Sequence, residues 1–187
     1  MSNTRVSRRT ALLTLVGAPL ASRAQPNAVP AEVNAELAGS RLHGTGRFSY
    51  FGLTIYDARL GVGERFDVLR VAQEPLALEL QYARAIQGPS IAERSLVEML
   101  RGGGVSAAQA SRWLAEMTRI FPDVTRGSRL TGVQRPNESA RFFFNGELRG
   151  EIRDPEFAPR FFGIWLSPQT SAPQLRQALL GNALAPA

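Results

Sequence analysis

Between positions 41 and 62 the apolar side chains are mostly aromatic or branched: Phe48, Tyr50, Phe51, Leu53, Ile55, Tyr56, Leu60 and Val62. Such residues favour extended chain, and Gly52 in their midst marks a hairpin turn. Residues 76–84 alternate apolar with polar in their second half, the period of a strand with one wet face. Then the period lengthens. Ser90-Ile91-Ala92-Glu93 has the form of a capping box, opening a helix with Ile91, Leu96, Val97, Met99 and Leu100 that stops at Gly102-Gly103-Gly104. Ser106-Ala107-Ala108-Gln109 repeats the device ahead of Ala110, Trp113, Leu114, Met117 and Ile120, which share one helix face, and Pro122 ends that helix. Strand patterns return at 128–134, 140–144 and 147–152. The last two are joined by Asn145-Gly146, a pair that tolerates the positive φ of a tight hairpin. Asp154-Pro155 predicts a helix start ahead of Phe157, Phe161 and Phe162. Ser171-Ala172-Pro173-Gln174 predicts a last one with Leu175, Ala178 and Leu179, closed by Gly181.

The order is β-β-β, α-α, β-β-β, α-α. Segregated strands and helices imply an α+β fold, an antiparallel sheet with helices packed on one face. A chain of 187 residues suits one such domain, and no apolar run approaches the ~20 residues that span a bilayer.

The N-terminus has a different character. Ser7-Arg8-Arg9-Thr10 precedes a short apolar stretch from Ala11 to Ala21, and small residues Ser22 and Ala24 follow. A basic segment, an apolar core and small residues before a polar stretch form an export signal. The paired arginines point to the twin-arginine route, which carries folded proteins. The sequence therefore divides into a signal peptide over 1–24, cleaved after about Ala24, a linker over 25–34 and a domain over 35–182, with a periplasmic destination.

Charge changes little once that division is made. The formal net charge is +6, every cation is arginine, and four arginines fall in the leader. Without them 18 basic side chains face 16 acidic ones, a balance near +2. The remaining arginines are interspersed with glutamates, without the basic patch and aromatic interleaving that a nucleic-acid surface needs. There is no cysteine and one histidine, His43, so neither disulfides, thiolate chemistry nor a multi-histidine metal site is available. No metal and no cofactor is implied.

Leu42-His43-Gly44-Thr45-Gly46-Arg47, followed by Leu53-Thr54-Ile55-Tyr56-Asp57-Ala58-Arg59-Leu60, resembles the opening hairpin of the chalcone isomerase superfamily. Phe144-Asn145-Gly146-Glu147-Leu148-Arg149-Gly150-Glu151-Ile152 and Ile164-Trp165-Leu166-Ser167 are similar to its bacterial exported branch, over about residues 35–182. The resemblance implies one of two activities: closing a chalcone to a flavanone, as plant members do, or holding a fatty acid, as non-catalytic members do. It also maps the isomerase residues. Arg47 stands for the hairpin arginine, Tyr56 occupies the threonine position as in the fatty-acid-binding relatives, Ile91 the tyrosine position and Glu98 the asparagine position.

Cyclisation needs a group that polarises a ketone and holds a phenolate, and isoleucine can do neither. An arginine and a tyrosine suit a carboxylate: a guanidinium offers a fork of donors and a phenol adds one more. A two-residue loop at Phe51-Gly52 would set Arg47 opposite Tyr56 on one face of the sheet. The expected ligand site is Arg47, Tyr56 and Tyr82, with no catalytic residue assigned and a fatty acid or similar hydrophobic small molecule as partner. Tyr82 and Arg84 share a strand face by the two-residue period, where a surface role is the plainer expectation. Glu98 is expected on the solvent side, with a role as acid in the cavity as the alternative, and His43 is expected to be structural. The rival readings are an isomerase or lipid-modifying enzyme using Glu98 or Tyr82, and a structural subunit of an envelope complex. Fusing residues 1–30 to a reporter that works only when exported folded should yield active reporter outside the cytoplasm. A silent fusion removes the leader reading.

Overall fold

A computed structural model describes residues 29–181. The expected signal peptide over 1–24 lies outside the described residues. Six strands form one antiparallel sheet in the order β1 to β6: β1 (Arg41–Tyr50), β2 (Leu53–Val62), β3 (Leu76–Tyr82), β4 (Arg129–Arg135), β5 (Ser139–Phe144) and β6 (Glu147–Ile152). Every neighbour in space is a neighbour in sequence. The helices are α1 (Ala31–Glu36), α2 (Gly88–Met99), α3 (Ala107–Ile120), α4 (Phe157–Leu166) and α5 (Pro173–Leu180). The α+β expectation, helices covering one face of an antiparallel sheet, is met by α2 to α5.

Their apolar stripes bury Trp113, Met117, Ile120, Phe157, Phe161 and Phe162 against Leu60, Leu78, Leu80 and Phe142 of the sheet. Phe142 meets Phe121, Phe157 and Phe161 edge-on, with ring centroids 5.0 to 6.2 Å apart. Edge-to-face contact is the favoured arrangement of such rings.

Four helix starts depart in some detail from the sequence pattern. Ser90 does not cap α2: the helix begins two residues earlier at Gly88, whose N–H donates to Asp123 Oδ1 at 2.8 Å. An acid distant in sequence supplies the cap. Ser106 does cap α3, accepting from Gln109 N–H, but the Gln109 side chain turns away to donate to Glu156 instead of closing the box. Asp154-Pro155 lies ahead of α4, and Asp154 accepts from the buried indole N–H of Trp113 at 2.8 Å. At α5 Ala172 and not Ser171 is the cap residue, and Pro173 takes the first helical position.

Residues 31–34, the end of the expected linker, belong to α1, on the opposite face of the sheet. Val29 and Val33 bury themselves there against Ala77, Val133 and Phe143. Glu36 is paired with Arg135 and Arg141, and Glu32 accepts from Thr131 at 3.2 Å. Glu79, buried beneath, holds Arg129 at 2.6 Å and Arg59 at 3.3 Å. One face of the sheet is therefore greasy, and the other combines a small apolar cluster with ion pairs.

Helices α2 and α3 form an excursion between β3 and β4. At its base Ile86 and Val124 exchange two backbone hydrogen bonds of 3.1 and 2.9 Å, a narrow neck closed by the Asp123–Gly88 contact. Helix α5 lies directly on β1. A Cβ on Gly44 would sit 2.1 Å from the carbonyl oxygen of Leu179, which a backbone atom cannot yield.

Gly44→Ala should therefore destabilise the fold by about 1–3 kcal/mol or more, the cost of forcing atoms into a packed contact. Gly63→Ala, at a glycine with nothing within 4 Å of a built Cβ, should be neutral or slightly stabilising. Urea midpoints of the two variants measure the contrast. Equal midpoints would mean that α5 does not sit on β1 as described.

Candidate functional site

The helices do not close completely over the sheet. A cavity of about 180 Å³ remains between β1–β4 and helices α2 and α4, well beyond the ~10–15 Å³ that one water needs by this measure. The sheet supplies Phe48, Tyr56, Leu80 and Tyr82, α2 supplies Ile91, Arg94, Ser95 and Glu98, and α4 supplies Phe161, Ile164 and Trp165. The lining is mostly apolar, with the charged groups confined to α2.

Tyr56 and Tyr82 lie directly opposite each other across β2 and β3, their rings edge-on at 5.8 Å, and Phe48 stacks on Tyr56 at 5.2 Å. Trp165 Nε1 donates to the Tyr56 hydroxyl at 2.9 Å. Indole nitrogen is a donor only, so that bond uses a lone pair of the phenol and leaves its proton for another acceptor. The Tyr82 hydroxyl has no hydrogen-bond partner among the described residues. Both phenols are thus donors available to the cavity. Burial is the main cause that pushes the Tyr56 pKa up to about 12; the Trp165 N–H and Arg94 oppose it and Glu98 adds to it. Burial likewise raises Tyr82, with Tyr56 adding to the effect.

The structure brings two of the three expected ligand residues together and separates the third. Arg47 is exposed on the opposite face of the sheet, where its Nε and Nη2 donate to Asp57 at 2.6 and 3.1 Å. The cause is local. The turn is the expected Phe51-Gly52 pair, with φ of 47° and 76°, but the register shifts by one between Phe48 and Ser49. Ile55 is the extra residue: Phe48 pairs with Tyr56, and Arg47 with Asp57. A one-residue shift exchanges the faces of a strand.

The cavity's cation is Arg94. Its Nη2 donates to Glu98 Oε1 at 2.5 Å, while Glu98 Oε2 lies 3.6 Å from Arg101 Nε and has no hydrogen-bond partner. Glu98, expected on the solvent side, is buried in the cavity wall. Sequence reasoning passed over Arg94, although Ile91, Arg94 and Glu98 follow helical spacing on one stripe of α2. Arg84 does not share the Tyr82 face: β3 ends at Tyr82, and Arg84 is exposed beside Arg47 and Arg126. His43 lies outside the cavity lining, with Nε2 3.4 Å from the Leu180 carbonyl oxygen and its ring edge-on to Phe66 at 5.0 Å. Among the described residues no cluster of His, Asp and Glu could hold a metal ion.

An ultraviolet titration should show one tyrosine ionisation near pH 12 that disappears in Tyr56→Phe. Its sign for stability follows directly. The unfolded phenol ionises near pH 10, so between about pH 10 and pH 12 the unfolded chain has lost a proton that the fold retains, and stability falls across that window. A Tyr56 step at pH 10 would show that the hydroxyl is open to water.

Comparison with known proteins follows the same lines. The profile of the chalcone isomerase-like family matches residues 23–181. An uncharacterised protein of Haemophilus influenzae is 28% identical over 110 residues, 59% of this chain and 54% of its own length, so the match spans about half of that relative. The solved structure of a fatty-acid binding protein of Arabidopsis thaliana is similar with a TM-score of 0.60 at 12% identity, over 76% of this chain and 87% of that one. At that identity the likeness is one of fold.

Proposed function

The chain belongs to the chalcone isomerase-like family, and on that footing we propose that it holds a fatty acid or related amphipathic carboxylate between sheet and helices and does not close chalcones. The observation that carries this reading is a mostly apolar cavity with a guanidinium, Arg94, on its wall and two phenol donors facing in. Each methylene buried there would contribute about 0.8 kcal/mol. Arg94 and Arg101 together place two positive charges about the one negative charge of Glu98, so the cluster attracts a further anion. The resemblance puts Ile91 and Glu98 where the isomerase has its tyrosine and asparagine, and both line this cavity without the chemistry that cyclisation needs. Export to the periplasm, read from the leader, completes the proposal: a carrier or store for an apolar acid outside the cytoplasm.

A second reading, an isomerase or lipid-modifying enzyme, draws on one observation: Glu98 Oε2 is buried without a hydrogen-bond partner. Such an oxygen is placed to accept a proton from a ligand.

Substitutions separate these readings. Arg94→Ala should weaken binding of a long-chain acid about tenfold to a hundredfold, the loss of a hydrogen bond to a charged group at ~1.5–3 kcal/mol. Arg47→Ala should leave affinity unchanged, and Glu98→Gln should tighten the acid by removing a like charge. Displacement of a fluorescent fatty acid measures all three, and mass spectrometry of lipid carried through purification identifies the natural occupant. Empty protein that ignores added acids would overturn the proposal. Turnover of chalcones or unsaturated acyl substrates that Glu98→Gln abolishes would favour the enzyme.

A further inference from the structure

The chain builds the same tight turn twice. Between β5 and β6 the two turn residues are Asn145 and Gly146, at φ of 51° and 92°. This is the favoured pair, because asparagine tolerates the left-handed region and glycine has no Cβ to clash. Between β1 and β2 the same positions hold Phe51 and Gly52, at φ of 47° and 76°. A bulky residue with positive φ is a true outlier, so Phe51 costs stability at that position. Nothing in the fold repays it. Its side chain is 88% exposed and touches the edge of Tyr50, itself 56% exposed, with ring centroids 4.5 Å apart. Leu53, the first residue of β2, is 53% exposed. Three large apolar side chains at one hairpin tip are therefore held in water on a strained turn.

The surroundings of the tip are cationic. Leu53 borders a surface depression shared with Arg84 and Arg126. Both arginines are exposed and form no ion pair among the described residues, whereas Arg47 nearby is held by Asp57. A greasy aromatic tip flanked by two unpaired guanidinium groups is complementary to a surface with an apolar interior and negatively charged headgroups. Aromatic side chains favour the interfacial zone of a bilayer, and basic residues beside it gain from anionic lipid.

We propose that the β1–β2 hairpin tip docks the protein on an anionic lipid surface, with Tyr50, Phe51 and Leu53 entering the interface and Arg84 and Arg126 on the headgroups. The docking stands on the tip and its cations and is independent of what the cavity holds. The position of the cavity gives it a use. Phe48 and Ile55 line the cavity and lie two residues from Tyr50 and Leu53. The docked tip would bring the rim of the cavity to the membrane surface, so an apolar acid could pass between them with little exposure to water.

The test uses the full chain, whose lack of cysteine allows one label at a time. A polarity-sensitive dye is placed beside the tip at Ser49→Cys, or at Asn137→Cys in the β4–β5 turn at the other end of the sheet. Vesicles of phosphatidylglycerol mixed with phosphatidylcholine should shift the dye at 49 to the blue and leave the dye at 137 unchanged. The shift should fade in high salt, fall roughly fivefold in apparent affinity for each of Arg84→Gln and Arg126→Gln, and vanish in Phe51→Asn. That last variant restores the Asn-Gly pair used at 145–146, so an unchanged or raised melting temperature shows that its fold is intact. Its binding of a fatty acid in the absence of vesicles should be unaltered, which separates docking from the function of the cavity. No shift at 49, equal shifts at 49 and 137, or a shift indifferent to Phe51→Asn would each overturn the proposal. A shift without lipid that grows with protein concentration would assign the tip to a second copy of the chain, and overturn it equally.

Discussion

The bond from the Trp165 indole to the Tyr56 hydroxyl joins the sheet to α4 at the place where the two layers stand apart. A buried indole N–H without an acceptor would cost about 1–3 kcal/mol, and among the described residues it has no other acceptor. The phenol that satisfies it is fixed in turn by Phe48 stacked on its ring and Tyr82 edge-on to it. One polar link among packed rings thus ties the two layers together at the edge of the cavity and leaves the phenol proton free for another acceptor. The ring of Trp165 also leans edge-on against Phe161, so the link is continuous with the aromatic core.

The two faces of the sheet solve different problems. Toward the long helices, apolar burial supplies the stability and the unfilled remainder becomes the cavity. Toward α1, Glu32, Glu36 and Glu79 are matched to Arg59, Arg129, Arg135 and Arg141. Buried ion pairs contribute little net stability once the charges have been desolvated, but leaving one member unmatched is costly. They therefore select the seat of α1 more than they strengthen it. The high arginine content that hints at a polyanion partner is partly spent on this internal pairing.

How far the sequence could be read depends on whether the controlling contact is local. The succession of strands and helices, both tight turns, the Ser106 cap and the aromatic core were legible because period and turn chemistry are properties of adjacent residues. The cap of α2 was not, since Asp123 reaches Gly88 from 35 positions away. Nor was the fate of Arg47. Its face is decided by a single extra residue, Ile55, and nothing in the alternation of residues 41–62 announces a bulge. Arg94 was readable in principle from its one-turn spacing with Ile91 and Glu98, but the choice between wet and covered sides of α2 required knowing where α4 lies. Residues 31–34 read as linker because six helical residues make too short a pattern; their anchor is the sheet face beneath them.

The neck at Ile86 and Val124 has a mechanical corollary. The wall that bears Ile91, Arg94 and Glu98 belongs to an appendage between β3 and β4, and no rung of the six-stranded ladder passes through it. The excursion is held by packing instead: α2 seats on α4, and α3 closes the core through Trp113, Met117 and Ile120. The gape of the chamber is therefore governed by how helices seat on one another and on the sheet, and not by any pairing between strands.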